Sequence, residues 1–396
     1  SYVGYTVQEV SVDSASTINV QLVTNNELDE VVVTALGIKT AKAKISYASQ
    51  QISDDEINVS QTTNIRDAIA GKVAGVTGLF QAGSKLGQQG SLYLRGAISL
   101  KGRTGALYII DGVAGNPDNV DVDNIESINV LKGPNAAAIY GLRAADGVVV
   151  ITTKKGEKND FKVEVTSSVT FDEVSNLPTY QNEYGQGADN TINSGYVGNW
   201  GARFDAGLEV SHPYASFGSL FPEYDGLKIP YVAAENNVKD FFRTGLGQSM
   251  SVNVAGSPGN DGNTRYNLNF GYTTEDGYIR NNGLTRYNIG LGGSTKLSNK
   301  FSFNGTANFS STRVNTPPIA ANNAGGALSI FTRTLFMPRN LDLNNIPYEN
   351  PNDRSSVYYR TDQENPRWLS NYAGSEQKTN RFYGKLGASY EISDNA

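Results

Sequence analysis

The chain has 396 residues and a formal net charge of −6, from 33 Lys and Arg against 39 Asp and Glu. It has no cysteine and one histidine, His212, which excludes disulfide scaffolds, thiolate metal clusters and thiol catalysis and argues against most histidine-based metal or acid/base sites. No block of Lys and Arg offers a footprint for nucleic acid, no apolar run is long enough for a transmembrane helix, and no segment has a signal-peptide layout. Gly (42), Asn (41), Tyr (22) and Phe (15) are abundant while charged residues make up 18%, the balance of a turn-rich, mainly β chain.

Residues 1–24 hold two alternating runs, Tyr5 to Val12 and Ile18 to Val23, which read as the last hairpin of a small β domain. Ser1 opens onto strand-like sequence and Ser393 to Ala396 follow a strand directly, so the chain reads as an interior piece of a longer protein. A polar, acidic stretch (residues 24–30) precedes Val31-Val32-Val33-Thr34, a short extended segment that equally suits an ordinary buried strand. From about 40 to 156 the pattern is mixed α/β. Thr63 and Asn64 can cap a helix through Ile65, Ala68, Ile69 and Val73, which Gly71 and Gly75 end. Strands are expected at Leu92 to Arg95, Ala106 to Asp111, Ser127 to Lys132 and Val148 to Thr153, with a helical turn at Pro134 to Tyr140.

After residue 157 apolar and polar residues alternate with period 2. Phe161, Val163, Val165, Val169 and Phe171 share one face, and the pattern recurs around Met250, Tyr266, Tyr287, Phe301 and Phe382, making six strands. Such alternation fits either an antiparallel sheet over a core or a membrane barrel with lipid outside and a wet lumen. Aromatic residues near strand ends, Asn, Ser, Thr and Gly opposite them, and long stretches at 175–245 and 313–380 against short turns at 276–283 and 297–300 favour the barrel. The rival is a secreted β-rich adhesin or glycan-binding protein, whose apolar strand faces would pack on each other.

Chemistry-bearing motifs are sparse. The glycine-rich stretches at 75–78, 83–90 and 102–105 lack the lysine spacing of a phosphate loop. Asn119 to Asn124 loosely follows the start of a calcium loop but lacks its Gly and closing Glu, and reads as a solvated acidic turn. His212, before Pro213, reads as a surface residue. No enzyme, metal or cofactor is expected.

Four segments carry a family resemblance. Leu28-Asp29-Glu30-Val31-Val32-Val33-Thr34-Ala35-Leu36-Gly37-Ile38 resembles the coupling box of SusC/RagA-like TonB-dependent outer-membrane transporters. Leu94-Arg95-Gly96, Leu107 to Val113, and Ile125 to Pro134 with Ala137 to Lys154 resemble that family's plug in order and spacing, although Gly133-Pro134 stands where an acidic residue is commoner. The resemblance implies the end of a carboxypeptidase-regulatory-like domain at 1–24, box and linker at 25–39, plug at 40–156 and the first strands of a barrel of about 22 strands at 157–396. It implies TonB, with ExbB and ExbD, acting on Leu28, Asp29, Glu30, Val31, Val32, Val33 and Thr34. It also implies a SusD-like surface lipoprotein as lid, outer-membrane lipid around the barrel, and a large oligosaccharide or peptide as cargo; a siderophore receptor is the rival within the class. If the middle unit is a plug, Arg95, Asp111, Glu126, Lys132 and Arg143 are its candidates for pairing with the barrel wall, with Arg95 foremost because its guanidinium fork can bridge several acceptors.

Overall fold

The computed structural model describes residues 31–33, 39–41, 49–53, 56–57, 65–69, 71–79, 86, 91–94, 105–132, 138, 140–156, 161–258, 262–298, 300–318 and 329–392. The hairpins expected at 1–24, Leu28 to Glu30, Thr34 and Arg95 lie outside these residues.

Two strands come first, β1 (Val31–Val33) and β2 (Lys39–Ala41), paired antiparallel with Val32 opposite Thr40. The mixed α/β unit then comprises β3 (Ser49–Ser53), α1 (Ile65–Ile69), β4 (Val76–Leu79), β5 (Ser91–Leu94), β6 (Leu107–Ile110), β7 (Val113–Ala114), β8 (Ile125–Leu131) and β9 (Val148–Thr153). Five of its strands form one sheet in the order β3-β8-β9-β6-β7, parallel only between β6 and β9. The run Val148-Val149-Val150-Ile151 is buried on both faces, as an unbroken β-branched stretch in a central strand should be. Beneath one face α1 packs Ile65, Ala68 and Ile69 against Ile110, Ile128, Val130 and Val149. Asp111-Gly112 closes the β6–β7 hairpin as a two-residue turn with φ of 50° and 90°, the primed geometry that Asp-Gly favours.

The second unit is a six-stranded antiparallel sheet of β10 (Lys162–Asp172), β15 (Gly245–Gly256), β16 (Thr264–Asp276), β17 (Gly283–Lys296), β18 (Phe301–Thr316) and β19 (Ser375–Tyr390), paired in chain order. These are the six strands expected from the alternation. Its apolar face is open: Val165 is 60% exposed, Phe382 74% and Leu386 93%. Its polar face is closed: Ser251, Asn253, Asn267, Asn269, Asn288 and Asn308 are all buried. A soluble sandwich would show the opposite, so the inversion selects the membrane-barrel reading of the period-2 pattern.

Cross-strand register arranges the open face in rows. Val252, Phe270, Ile289, Phe309 and Phe382 form one; Met250, Tyr272, Tyr287, Ser311 and Asn380 the next toward the long connections. The Tyr272 and Tyr287 rings sit 5.1 Å apart. At the other end Phe301 pairs with Tyr390, 6.2 Å between rings. About ten residues separate the two aromatic rows, roughly 33 Å of strand, which a tilt of ~40° projects to ~25 Å, the height of a barrel's apolar band.

The connections differ from expectation in two respects. Because consecutive strands alternate direction, the turn 277–282 lies at the same end as the long connections 173–244 and 317–374, while 257–263 and 297–300 lie at the opposite end. The long connections are also built rather than irregular. They contain β11 (Gly187–Ala188), β12 (Thr191–Ile192), β13 (Glu209–Ser211), β14 (Lys228–Pro230), α2 (Ile330–Leu335, capped by Ser329) and α3 (Pro366–Tyr372, capped by Asn365). Val238, Met337, Leu341, Leu343 and Tyr358 form a core shared by both. Arg339, 1% exposed, joins them by donating to Asn182 Oδ1 at 2.8 Å and the Glu235 carbonyl at 2.6 Å, with the Tyr180 ring 4.8 Å away.

Candidate functional site

The α/β unit seats against the polar face of the sheet through the segment between β7 and β8. Two 3-10 turns, Pro117–Asn119 and Val122–Asn124, are opened by side-chain caps: Asn116 Oδ1 accepts the Asp118 amide at 3.1 Å and Asp121 Oδ1 the Asp123 amide at 3.3 Å. The cap uses one oxygen of Asp121 and leaves the other for the wall. Asp121 Oδ2 accepts from Ser251 Oγ at 2.7 Å and Asn269 Nδ2 at 2.9 Å. Asn253 donates to the Asp123 carbonyl at 3.1 Å, and Asn267 to Asn124 Oδ1 at 2.9 Å. Asn269 also donates to Asn253 Oδ1 at 3.0 Å, so the wall amides hold one another in place.

Asp118 links two bodies. Its carboxylate pairs with Arg66 of α1 at 2.5 Å, and its carbonyl accepts from Arg286 of β17. Arg66 is 3% exposed and lies 5.2 Å from the Tyr108 ring centre. Close approach matters as much as bonding. A Cβ on Gly292 would lie 2.4 Å from the Lys154 carbonyl oxygen, backbone that cannot rotate away, so that wall position requires glycine; one on Gly271 would lie 2.5 Å from Asp121 Oδ2 and displace that carboxylate. A second contact joins β7 to β19, where Arg381 reaches the Ala114 carbonyl at 3.5 Å and Tyr383 enters the core around Ile110.

Burial, reinforced by the neighbouring Asp121 charge, pushes the Asp123 carboxyl up to about 6. Burial likewise raises the Tyr108 hydroxyl to about 12, against the pull of Arg66.

Of the described residues singled out from sequence, Glu126 reaches the junction with the wall and Asp111 lies near Tyr383 of β19, while Lys132 and Arg143 fall elsewhere on the unit. Asp111 bonds within it, to the Thr153 amide at 3.0 Å and Oγ1 at 2.7 Å. Lys132 donates to the Ala74 carbonyl at 2.6 Å, and Arg143 is exposed. Glu126 is exposed at the junction, lining a cleft of about 130 Å³ with Lys154, Lys162, Glu164 and Asn253. Lys154 and Glu164 are 3.7 Å apart across it. The seat formed by the described residues is therefore Asp118, Asp121, Asp123 and Asn124, within the stretch expected to be a solvated turn. Asn119 and Asn124 are both buried, and for Asn124 the wall's Asn267 supplies the donor that water would otherwise provide. No signal in the turn itself could show this, since its partners lie some 130 residues away.

At the coupling segment only Val31–Val33 is described. It forms β1, which pairs with β2 on one side; among the described residues its other edge has no partner strand. Among the described residues no group of His, Asp or Glu is arranged to hold a metal.

The family model for the TonB-dependent receptor plug domain matches residues 41–148. Residues of this chain are 37% identical over 183 positions to the TonB-dependent receptor SusC of Bacteroides thetaiotaomicron, covering 43% of this chain and 18% of that protein. TonB-dependent receptor P3 of Formosa agariphila is 31% identical over 249 positions, 58% of this chain and 24% of its own length. The chain thus spans about a quarter or less of these relatives. The fold resembles the RagAB peptide importer in its open-open state, with a TM-score of 0.66 at 22% identity over 92% of this chain and 41% of that one. With a unit that matches the TonB-dependent receptor plug domain seated on the polar face of a lipid-type barrel wall, the chain resembles the SusC/RagA-like TonB-dependent receptors.

Proposed function

We propose that the protein imports a large nutrient, an oligosaccharide or a peptide, across the outer membrane, powered through TonB with ExbB and ExbD. In this reading the coupling segment, residues 28–34, and the N-terminal residues lie in the periplasm, and a SusD-like surface lipoprotein closes over the long-loop end. One observation carries it: the wall buries its amides on the plug and turns Leu268, Phe270, Ile289 and Leu386 outward, an arrangement with no use in a secreted protein. The relatives support it by name, one as SusC and one as part of a peptide importer. The outer membrane holds no ATP or ion gradient, so energy must arrive through a protein contact. The edge of β1 that faces away from β2 suits a partner that adds a strand.

The test is Val32→Pro in the full protein, which removes a backbone donor and fixes φ. Uptake should be abolished while abundance and substrate binding persist; uptake at the wild-type rate overturns the coupling assignment. Growth of a deletion strain on panels of glycans and of peptides separates the two cargo classes.

A further inference from the structure

One row of the open face breaks its composition. Immediately beyond the Tyr272 and Tyr287 row, toward the long connections, lie Gln248, Thr274, Thr285, Arg313 and Lys378, each paired with the next. Arg313 is four residues beyond Phe309 on β18, and Lys378 four before Phe382 on β19, so both share the face of these apolar side chains. The register sets Arg313 directly opposite Lys378. Like charges in that position repel, and an antiparallel sheet has no internal reason to place them so.

The local carboxylate does not settle the pair. Glu376 reaches Arg313 at 3.6 Å, with both side chains more than half exposed, and such a pair contributes little. Among the described residues Lys378 forms no ion pair. Asp276, the other outward carboxylate at this rim, lies 3.9 Å from Arg243. Just below, Ser311 donates to Asn380 Oδ1 at 2.8 Å, which leaves the Asn380 amide as a further donor under the two cations. The cluster therefore combines two cations and an amide, two residues along the strand above an aromatic row, on the side away from the plug. Arg313 has complete strand neighbours on both sides, so its surroundings are those of the finished wall.

We propose that Arg313 and Lys378 bind the phosphate of a membrane-lipid headgroup at the long-loop face of the bilayer. The proposal rests on the barrel reading, in which the aromatic row marks the end of the hydrocarbon and the next row meets the headgroups. A bridging phosphate would turn the opposed cations from a cost into a clamp, and its acyl chains would run down over Phe309 and Phe382.

The test uses the full protein in detergent micelles doped with diphosphoryl lipid A or with the same lipid after enzymatic dephosphorylation, and counts retained lipids by native mass spectrometry. The phosphorylated form should be retained about tenfold or more over the other, the scale of one to two basic residues at an anionic surface. Arg313→Gln with Lys378→Gln should remove that preference, and Lys300→Gln, near the opposite rim, should keep it. An equal preference in the double variant, or no preference in the wild type, overturns the proposal. Loss of the preference on adding excess inorganic phosphate also overturns it, by making free phosphate the ligand. Failure of every lipid to stay bound would instead overturn the lipid-facing reading of the wall.

Discussion

Asp121→Ala is the sharpest probe of the seat, because one carboxylate oxygen accepts two donors from the wall. Ser251 and Asn269 are 3% and 4% exposed, so removing their acceptor breaks two bonds in a nearly dry interface, although Asn269 keeps Asn253 Oδ1 as an acceptor. A hydrogen bond to a charged group is worth about 1.5–3 kcal/mol, so the pair accounts for about 3–6 kcal/mol of docking. At ~1.4 kcal/mol per decade this lowers the ratio of seated to unseated plug by two to four orders of magnitude. Water entering the gap brings the effect toward the lower figure. The cap to the Asp123 amide is lost as well, although it acts within the turn and not across the interface. Asp121→Asn keeps an acceptor but points an amide at Ser251 and Asn269, so an intermediate effect is expected. The assay is hydrogen exchange at β8 together with single-channel conductance of the full protein in a planar bilayer. Faster exchange and transient openings are expected in Asp121→Ala. Exchange and conductance equal to wild type at equal abundance would refute the reasoning and move the seat to the β7–β19 contact.

Gly292→Ala should unseat the plug comparably, since the new methyl meets backbone that has no rotamer to change, and a shift of the plug's protease sensitivity measures it. Acidification should tighten the seat. The folded Asp123 is raised from 3.8 to about 6, so its contribution is fully present below about pH 4 and lost as pH rises through 6; Asp123→Asn should flatten that dependence in exchange measurements. On the wall, Leu268→Lys should cost about 2–4 kcal/mol in unfolding from lipid, whereas Asn304→Lys on the polar face is tolerated, and equal effects would contradict the assigned faces. Asn267→Lys is not tolerated despite lying on the polar face, because Asn267 is 1% exposed and bonded to Asn124.

How much of this was legible depends on the range of the interactions concerned. Period-2 alternation is a property of a dozen residues and located all six wall strands, and Val148 to Thr153 announced a doubly buried strand by its composition alone. Asp111-Gly112 marked its own hairpin. The seat was not legible. Charge was the criterion applied to the plug; it selected Glu126, which lines the junction cleft, but also Asp111 and Lys132, whose hydrogen bonds to Thr153 and the Ala74 carbonyl lie within the same unit. Opposite the turn at 116–124 the wall presents amides and a guanidinium, which seek acceptors, and the turn offers both carboxylates and carbonyls. The long connections misled for a related reason. Their order comes from shared clusters such as Val238 with Met337 and from one buried guanidinium, none of which leaves a periodic trace.

These contacts also define where a pull would act. Force applied at β1 passes through β2 to β3, which among the described residues is an edge strand of the plug sheet and pairs only with β8, through five residues. β8 is held far better. It continues directly from the seat, pairs with β9 on its other side, and buries Ile128 and Val130 in the core. The weakest join along the path is therefore the β3–β8 seam, and pulling should strip β3 while β8 and the turn stay on the wall. Gln51 faces Asn129 across that seam, at the Cα spacing of an antiparallel pair, which a disulfide can span. Because the chain has no cysteine, Gln51→Cys with Asn129→Cys introduces the only pair. Oxidised, this variant should bind substrate normally and fail to import it, and a reductant should restore uptake. Import by the oxidised form at the reduced form's rate would show that the seam stays closed during transport, and the path would have to open between the plug and the wall instead.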